Sequence, residues 1–451
     1  MKKNRYRQIC SAYLLLMSSV FLLAVSPSGY LNVVETKFAV FCALTGAFVL
    51  TAGICFFCGE RSDFRRLSAA EVLILAYWGW SLLSALCSPW KQIAFLGGNR
   101  TDGMITITLY CCVFLLLSRA GEPDRRLLWA AAAALTVYCL VAALQFFDLN
   151  PFGLFPGSAR WSGREREYNG AFLSFSGNAD ISASVLCVGF ALMWAEAAVR
   201  RKPLFLLPAA ACLAVMVFSG IRSGLLGALG GLCLCLPCVL PLKRRGKAAI
   251  YAALAAVLLL ALFLIWLIPL PGTLGELHGL LHGNAEDSFG SGRIYIWKNA
   301  LRLVKERPLL GGGADTMGRR SLAIERIRED GSRIRRTIDC AHSELLNVAV
   351  NQGLPAMLLM LAALAVTLIN AFRRSDPASS VLRAALVSYL ICGLFGIAMP
   401  ANAAYFWIVF ALLAGAVDRR RDGAAARRKL TRDNDCAIMI NQRSDDTFHT
   451  L

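Results

Sequence analysis

The 451 residues are 57% hydrophobic and only 17% charged, with a mean hydropathy of +0.56, whereas a soluble domain carries about a quarter charged residues. That composition excludes an ordinary water-soluble globule. A formal charge of +18 would suggest a nucleic-acid partner in a soluble chain, but here Lys and Arg cluster beside apolar runs, where they set the orientation of membrane spans and imply no nucleic acid.

Apolar runs at roughly 9–26, 38–58, 69–87, 103–118, 127–147, 179–199, 203–218, 223–241, 248–269, 345–370, 380–399 and 404–417 predict an all-α polytopic membrane protein of about 12 spans. Lys2, Lys3 and Arg5 ahead of the first run resemble the start of a signal peptide. Pro27 would open the mature chain and the next span follows at once, so the run is read as a retained helix. Arg61, Arg65 and Arg66, then Arg125 and Arg126, then Arg200, Arg201 and Lys202, then Lys243, Arg244, Arg245 and Lys247, then Arg373 and Arg374 fall in alternate connections. This bias predicts both termini in the cytoplasm. Most of the 16 cysteines lie inside spans, so no disulfide framework is expected, and Cys55/Cys58 and Cys235/Cys238 read as packing residues.

The chain accordingly divides into a membrane block at 1–269, an extracytoplasmic loop at 270–341, a second membrane block at 342–417 and a charged tail at 418–451 with no expected order. The long loop is where function is expected, since structureless connections of that length are uncommon. From Ile294 its apolar residues Ile296, Trp297, Ala300, Leu301, Leu303 and Val304 fall on one arc at helical spacing, opposite Lys298, Asn299, Arg302, Lys305 and Glu306. That predicts an amphipathic helix on or near the bilayer surface, with a second basic amphipathic stretch over 316–329. Arg293 falls in the apolar arc, so it either precedes the helix or points into a polar site. His278 and His282 have the i,i+4 spacing of metal ligands, but their leucine neighbours suggest a membrane-surface turn instead.

Other residues expected on the same face are basic. Arg222 stands alone in Ser219-Gly220-Ile221-Arg222-Ser223, a connection so short that its guanidinium must lie at the membrane boundary, either as a snorkelling anchor or as a functional group. Arg100, in Gly98-Asn99-Arg100-Thr101-Asp102, has Asp102 as an available local partner. The connection 148–178 adds Arg160, Arg164 and Arg166 with Trp161 and Tyr168, a surface suited to phosphates or sugars. Planar guanidiniums pair bidentately with phosphate oxygens without a metal. An imidazole such as His342, which could also be a simple interfacial cap, can take a proton from an attacking hydroxyl. The set suits group transfer from a lipid diphosphate.

The stretches Ser291-Gly292-Arg293-Ile294-Tyr295-Ile296-Trp297, Pro308-Leu309-Leu310-Gly311-Gly312-Gly313, Ala341-His342-Ser343-Glu344-Leu345-Leu346 and Asn351-Gln352-Gly353-Leu354-Pro355 resemble the O-antigen ligase and polymerase family of bacterial membrane glycosyltransferases. Ser219-Gly220-Ile221-Arg222-Ser223-Gly224 is similar to its Ser-Arg motif, and Gly177-Asn178-Ala179-Asp180 to its Gly-Asn-Pro-Asn motif with two residues replaced. The resemblance implies a C-type glycosyltransferase-like architecture with a helical outer-face loop in the bacterial cytoplasmic membrane. It implies an undecaprenyl-diphosphate-linked glycan donor, a glycan, lipid or protein acceptor, and neither metal nor cofactor. Arg222 and Arg293 would hold the diphosphate and His342 would serve as base, with Arg100, Asn178, Asp180 and Trp297 as further substrate contacts. Ligase, repeat-unit polymerase and protein O-oligosaccharyltransferase remain open within the family, and a transporter or lipid translocase outside it.

Overall fold

The computed structural model describes residues 5–57, 66–147, 149–154, 173–240, 242–321, 323–327 and 333–419, with backbone alone over 323–327 and 333–336. Every predicted apolar run falls on a helix. Eight helices are long and apolar enough to cross a membrane, and Met104–Leu117, Pro203–Phe218 and Pro377–Gly393 are shorter apolar helices. The chain is a polytopic membrane protein.

Helix α1 (Arg5–Leu16) runs into a π-helical turn at Met17–Phe21. Lys37, which lies within α2 (Val33–Phe57), is buried and donates to the Phe21 and Leu22 carbonyls at 2.7 and 2.8 Å. An apolar medium offers those carbonyls no water, so an internal donor satisfies them. Helix α3 (Ala69–Leu86) opens with a Ser68–Glu71 capping box, and the Glu71 carboxylate also accepts from Ser118 at 2.6 Å and Arg119 at 3.1 Å. That joins the start of α3 to the end of α5 (Met104–Leu117), which follows the short α4 (Lys91–Leu96).

Helices α6 (Arg125–Phe146), α7 (Ala179–Arg200), α8 (Leu206–Phe218), α9 (Arg222–Val239) and α10 (Arg244–Leu267) continue the bundle. Helix α7 is enclosed almost along its whole length, as is the last helix, whereas α10 buries none of its residues. Gly224, Gly227 and Gly231 place a small-residue face on α9. A Cβ at Gly224 would meet Ala183 of α7 at 3.1 Å, and one at Gly227 would meet the Ser388 carbonyl at 2.7 Å. Small residues let helix backbones approach this closely where lipid supplies no hydrophobic drive.

After α10 come α11 (Thr273–Leu281), α12 (Phe289–Glu306) and the four-residue α13 (Met317–Arg320). The predicted helical continuation through 329 gives way to β1 (Ala323–Ile327), paired antiparallel with β2 (Arg333–Thr337), so the segment expected as a helical outer-face loop is not wholly helical. Its sequence explains the change: two isoleucine-containing segments flank Asp330-Gly331, a hairpin-turn dipeptide. Helix α12 is amphipathic as expected, but its apolar face does not lie on the bilayer. Ile296, Ala300, Leu303 and Val304 pack against Met317, Ile338, Ala341, Ala349 and Val350 of the protein itself, and Leu301 alone of that arc's large residues is left exposed. Asn299, expected on the polar face, is buried and donates to the Tyr295 carbonyl at 2.9 Å.

The run predicted as one span at 345–370 is two helices, α14 (Glu344–Gln352) and α15 (Leu354–Phe372), broken at Gly353, where φ is 90° and Pro355 follows. Helix α16 (Pro377–Gly393) and α17 (Pro400–Arg419) complete the described residues. Residues 420–451 of the expected tail, and Arg160, Arg164, Arg166, Trp161 and Tyr168, lie outside the described residues.

Candidate functional site

Four separate stretches meet around Asp180. Asn178 caps α7, its Oδ1 accepting from the Asp180 and Ile181 amides at 2.8 and 3.3 Å, so this residue has a structural task at the helix start. Asp180 follows in the first turn, where the helix dipole favours a negative charge. Its Oδ1 lies 3.8 Å from Arg293 Nη2 and its Oδ2 lies 3.8 Å from His342 Nδ1. These are electrostatic contacts, beyond hydrogen-bond length.

Arg293 owes its position to an irregular helix start. Gly290, Ser291 and Gly292 all have positive φ (62°, 61° and 85°), so the regular part of α12 begins at Arg293. Arg293 thus opens the regular helix, and its guanidinium is turned toward polar groups. Nε and Nη2 both donate to the Phe395 carbonyl at 3.2 and 3.0 Å, and Nη1 to the Gly290 carbonyl at 2.9 Å. The remaining charge faces Asp180.

His342 sits at φ +44°, a left-handed conformation that a β-substituted residue adopts only when its surroundings enforce it. On one side Trp297 Nε1 donates to the Ala341 carbonyl at 3.1 Å, and on the other the Ala341 amide donates to Asn347 Oδ1 at 3.2 Å. Trp297 thus positions the histidine segment through its indole N–H while its ring lies 5.9 Å from that of Phe395. His342 Nδ1 is buried without a hydrogen-bond partner. Burial holds the imidazole below its ordinary pKa; Asp180 and Asp339 oppose the shift, and Arg100 and Arg293 reinforce it. Burial therefore favours the uncharged ring, the form that can accept a proton.

Arg100 also reaches this cluster, but its partner is not Asp102. The carboxylate of Asp315 gathers the 98–102 turn by accepting from the amides of Gly98 at 2.6 Å and of Arg100 and Asp102 at 3.3 Å. The turn sends the Arg100 side chain to Asp339, whose Oδ1 it meets at 2.8 Å. Arg222 begins α9 and is exposed. Gly224, half a turn later, abuts Ala183 of α7, so Arg222 stands at the same end of the bundle as Asp180, although no hydrogen bond or ion pair joins it to the cluster among the described residues. His278 Nδ1 donates to the Ile265 carbonyl and His282 stacks on Trp266, both against the end of α10.

Two participants escape a reading of the sequence. Asp339 stands next to a recognised motif and carries a signal only in its being an acid beside Cys340-Ala341-His342. Phe395 contributes a backbone carbonyl, for which a sequence carries no signal.

The decisive comparison concerns the segment that contains Arg222, Arg293 and His342. Residues 207–361 match the family model described as O-antigen ligase. That segment is similar to the O-antigen ligase family, and the match covers less than half of the chain. No curated protein matches the chain significantly. The matched segment runs from α8 into α15, so Asp180 and Arg100 come to its charged residues from outside it, through the fold. The matched segment lies among helices long and apolar enough to cross a membrane.

Proposed function

We propose that the protein transfers a glycan from undecaprenyl diphosphate to an acceptor hydroxyl on the outer face of the bacterial cytoplasmic membrane, as a metal-independent ligase with both of its termini in the cytoplasm. The observation that carries this reading is the placement of a cation and a neutral imidazole on the two oxygens of one carboxylate, Asp180, each at 3.8 Å.

In this reading the donor diphosphate is drawn to Arg293, already oriented by Phe395 and Gly290, and to Arg222 at the N-terminus of α9, where free amides add to the attraction for an anion. The phosphate replaces the long contact between Arg293 and Asp180. Arg100 contributes positive potential beside His342. The acceptor hydroxyl attacks the anomeric carbon; its oxygen forms the new glycosidic bond while the bond to the diphosphate breaks and the leaving group departs with that electron pair. The hydroxyl proton passes to the His342 imidazole, and Asp180 stabilises the imidazolium. Attack opposite the leaving group inverts the anomeric centre.

Repeat-unit polymerisation uses the same donor chemistry with a growing glycan as acceptor, and protein glycosylation uses it with a polypeptide hydroxyl. Surface polysaccharide from a deletion strain separates them. Full-length chains left on the lipid carrier support ligase activity, single unpolymerised units indicate polymerase, and unchanged surface polysaccharide would remove both.

A further inference from the structure

A cavity of about 500 Å³ lies beside the cluster and is not used by the reaction proposed above. That volume is within the roughly 300–1,000 Å³ typical of small-molecule sites. One wall is a single face of α15, with Met360, Leu361, Leu364, Ala365, Leu368 and Phe372 at helical spacing. Thirteen residues at 1.5 Å rise make that face about 18 Å long. Leu234 of α9, Phe372 of α15 and Leu394 after α16 are large, exposed and part of the lining. The cavity therefore opens sideways, toward where bilayer hydrocarbon would lie.

The other end is polar and acidic. Asp102, Glu344, Tyr77, Tyr110, Asn347 and Gln352 line it, and among the described residues no Lys, Arg or His does. Tyr389 donates to Glu344 Oε1 at 2.7 Å and Tyr77 to Gln352 Oε1 at 3.3 Å. Tyr110 is 3% exposed. Its hydroxyl and the Asp102 carboxyl are near enough to feel each other, yet the hydroxyl and Asp102 Oδ1 are both shielded from solvent without completing a hydrogen bond. Unpaired buried groups of this kind are costly, and a ligand that pairs with them removes the cost.

We infer that this cavity is a lateral site for a single-chain long-chain alcohol, its hydrocarbon along α15 and its hydroxyl among Asp102, Tyr110 and Glu344. A hydroxyl both donates and accepts, which is what a phenol and two carboxyl groups require. An anionic head, including the donor diphosphate, finds no cation there to offset its burial. A cationic head gains less there than from two full carboxylates, because burial favours the protonated form of both acids. Burial, with the charges of Asp315 and Glu344, pushes Asp102 up to about 8 against Tyr110 and Arg100, and burial pushes Glu344 up to about 7 against its Tyr389 bond. The site goes beyond the transfer reaction and does not depend on it.

The test uses the full chain in lipid nanodiscs and a photoreactive hexadecanol with a terminal diazirine. Labelling should map to peptides of α15 and α16, and unlabelled hexadecanol should compete about tenfold better than hexadecyl phosphate or hexadecylamine. Ala365→Trp, an exposed position on the cavity rim, should cut labelling about tenfold with no change in thermal unfolding, and Glu344→Leu should weaken it comparably. Equal competition by the phosphate or the amine would overturn the neutral-head assignment. Label spread evenly onto α10, a long apolar helix with no buried residue, would show ordinary bilayer contact and overturn the site itself.

Discussion

Asp180 lies 3.8 Å from the Nδ1 of His342, which has no hydrogen-bond partner of its own. Burial and the two nearby arginines lower the imidazole pKa, and the carboxylate only partly offsets them, so the net value stays below the ordinary one. The base is therefore active only above that lowered pKa, and activity falls as pH drops through it. Removing the negative charge in Asp180→Asn lowers the imidazole pKa further. The acidic limb of the transfer rate should move to lower pH, while the maximal rate falls because the imidazolium loses its counter-charge. An acidic limb at the same pH in both proteins would separate Asp180 from the titrating base.

Arg293 is a fork, not a point charge. Its two donors to Phe395 and one to Gly290 fix the guanidinium plane. Arg293→Lys cannot reproduce that geometry and should lose about tenfold or more in donor affinity, nearly as much as Arg293→Ala, given the strength of bidentate phosphate contacts. Donor binding to the lysine variant at wild-type affinity would show that charge alone matters there.

Asn351 belongs to a stretch that resembles one of the family motifs, and the structure gives it a supporting task. It is 2% exposed, and its Oδ1 accepts from the Thr316 and Met317 amides at 3.2 and 3.0 Å. Asn351→Ala leaves two buried N–H groups unpaired, at a cost of about 1–3 kcal/mol each. Thermal unfolding in detergent should move clearly downward; an unchanged midpoint would mean that the 310–317 segment is held without this side chain.

The α9 glycine face makes a separate claim about packing. Gly227→Leu places its Cβ where only 2.7 Å separates it from the Ser388 carbonyl oxygen and 2.9 Å from the Cys392 side chain. Overpacking of this kind costs about 1–3 kcal/mol. The variant should unfold at lower temperature, and Leu226→Ala, on an exposed neighbouring position, should not. Equal midpoints for the glycine variant and the parent would show that α9 and α16 can separate freely.

Helix positions are legible in the sequence because hydropathy depends only on local composition, and Arg222 and Arg293 stand out there as candidates because a charge at a membrane boundary needs a reason. What escapes depends on distant residues. Arg100 pairs with Asp339 because Asp315, over 200 residues away in sequence, shapes the 98–102 turn. Periodicity divides α12 into an apolar and a polar arc, yet it cannot distinguish a bilayer from α14 as the partner of the apolar one. The hairpin at 323–337 is hidden by Arg and Glu at spacings that suit a basic helix as well as alternating strands.

The assignment on which the mechanism turns is that His342 removes the acceptor proton. It is decided by measuring glycan transfer from purified undecaprenyl-diphosphate donor with His342→Ala, alongside donor binding to the same protein. Transfer should fall by the roughly 10²–10⁴-fold associated with a general base, while donor affinity stays within about twofold of the parent. An alanine protein that transfers glycan at the parent rate would leave the proton to some other group and refute the assignment.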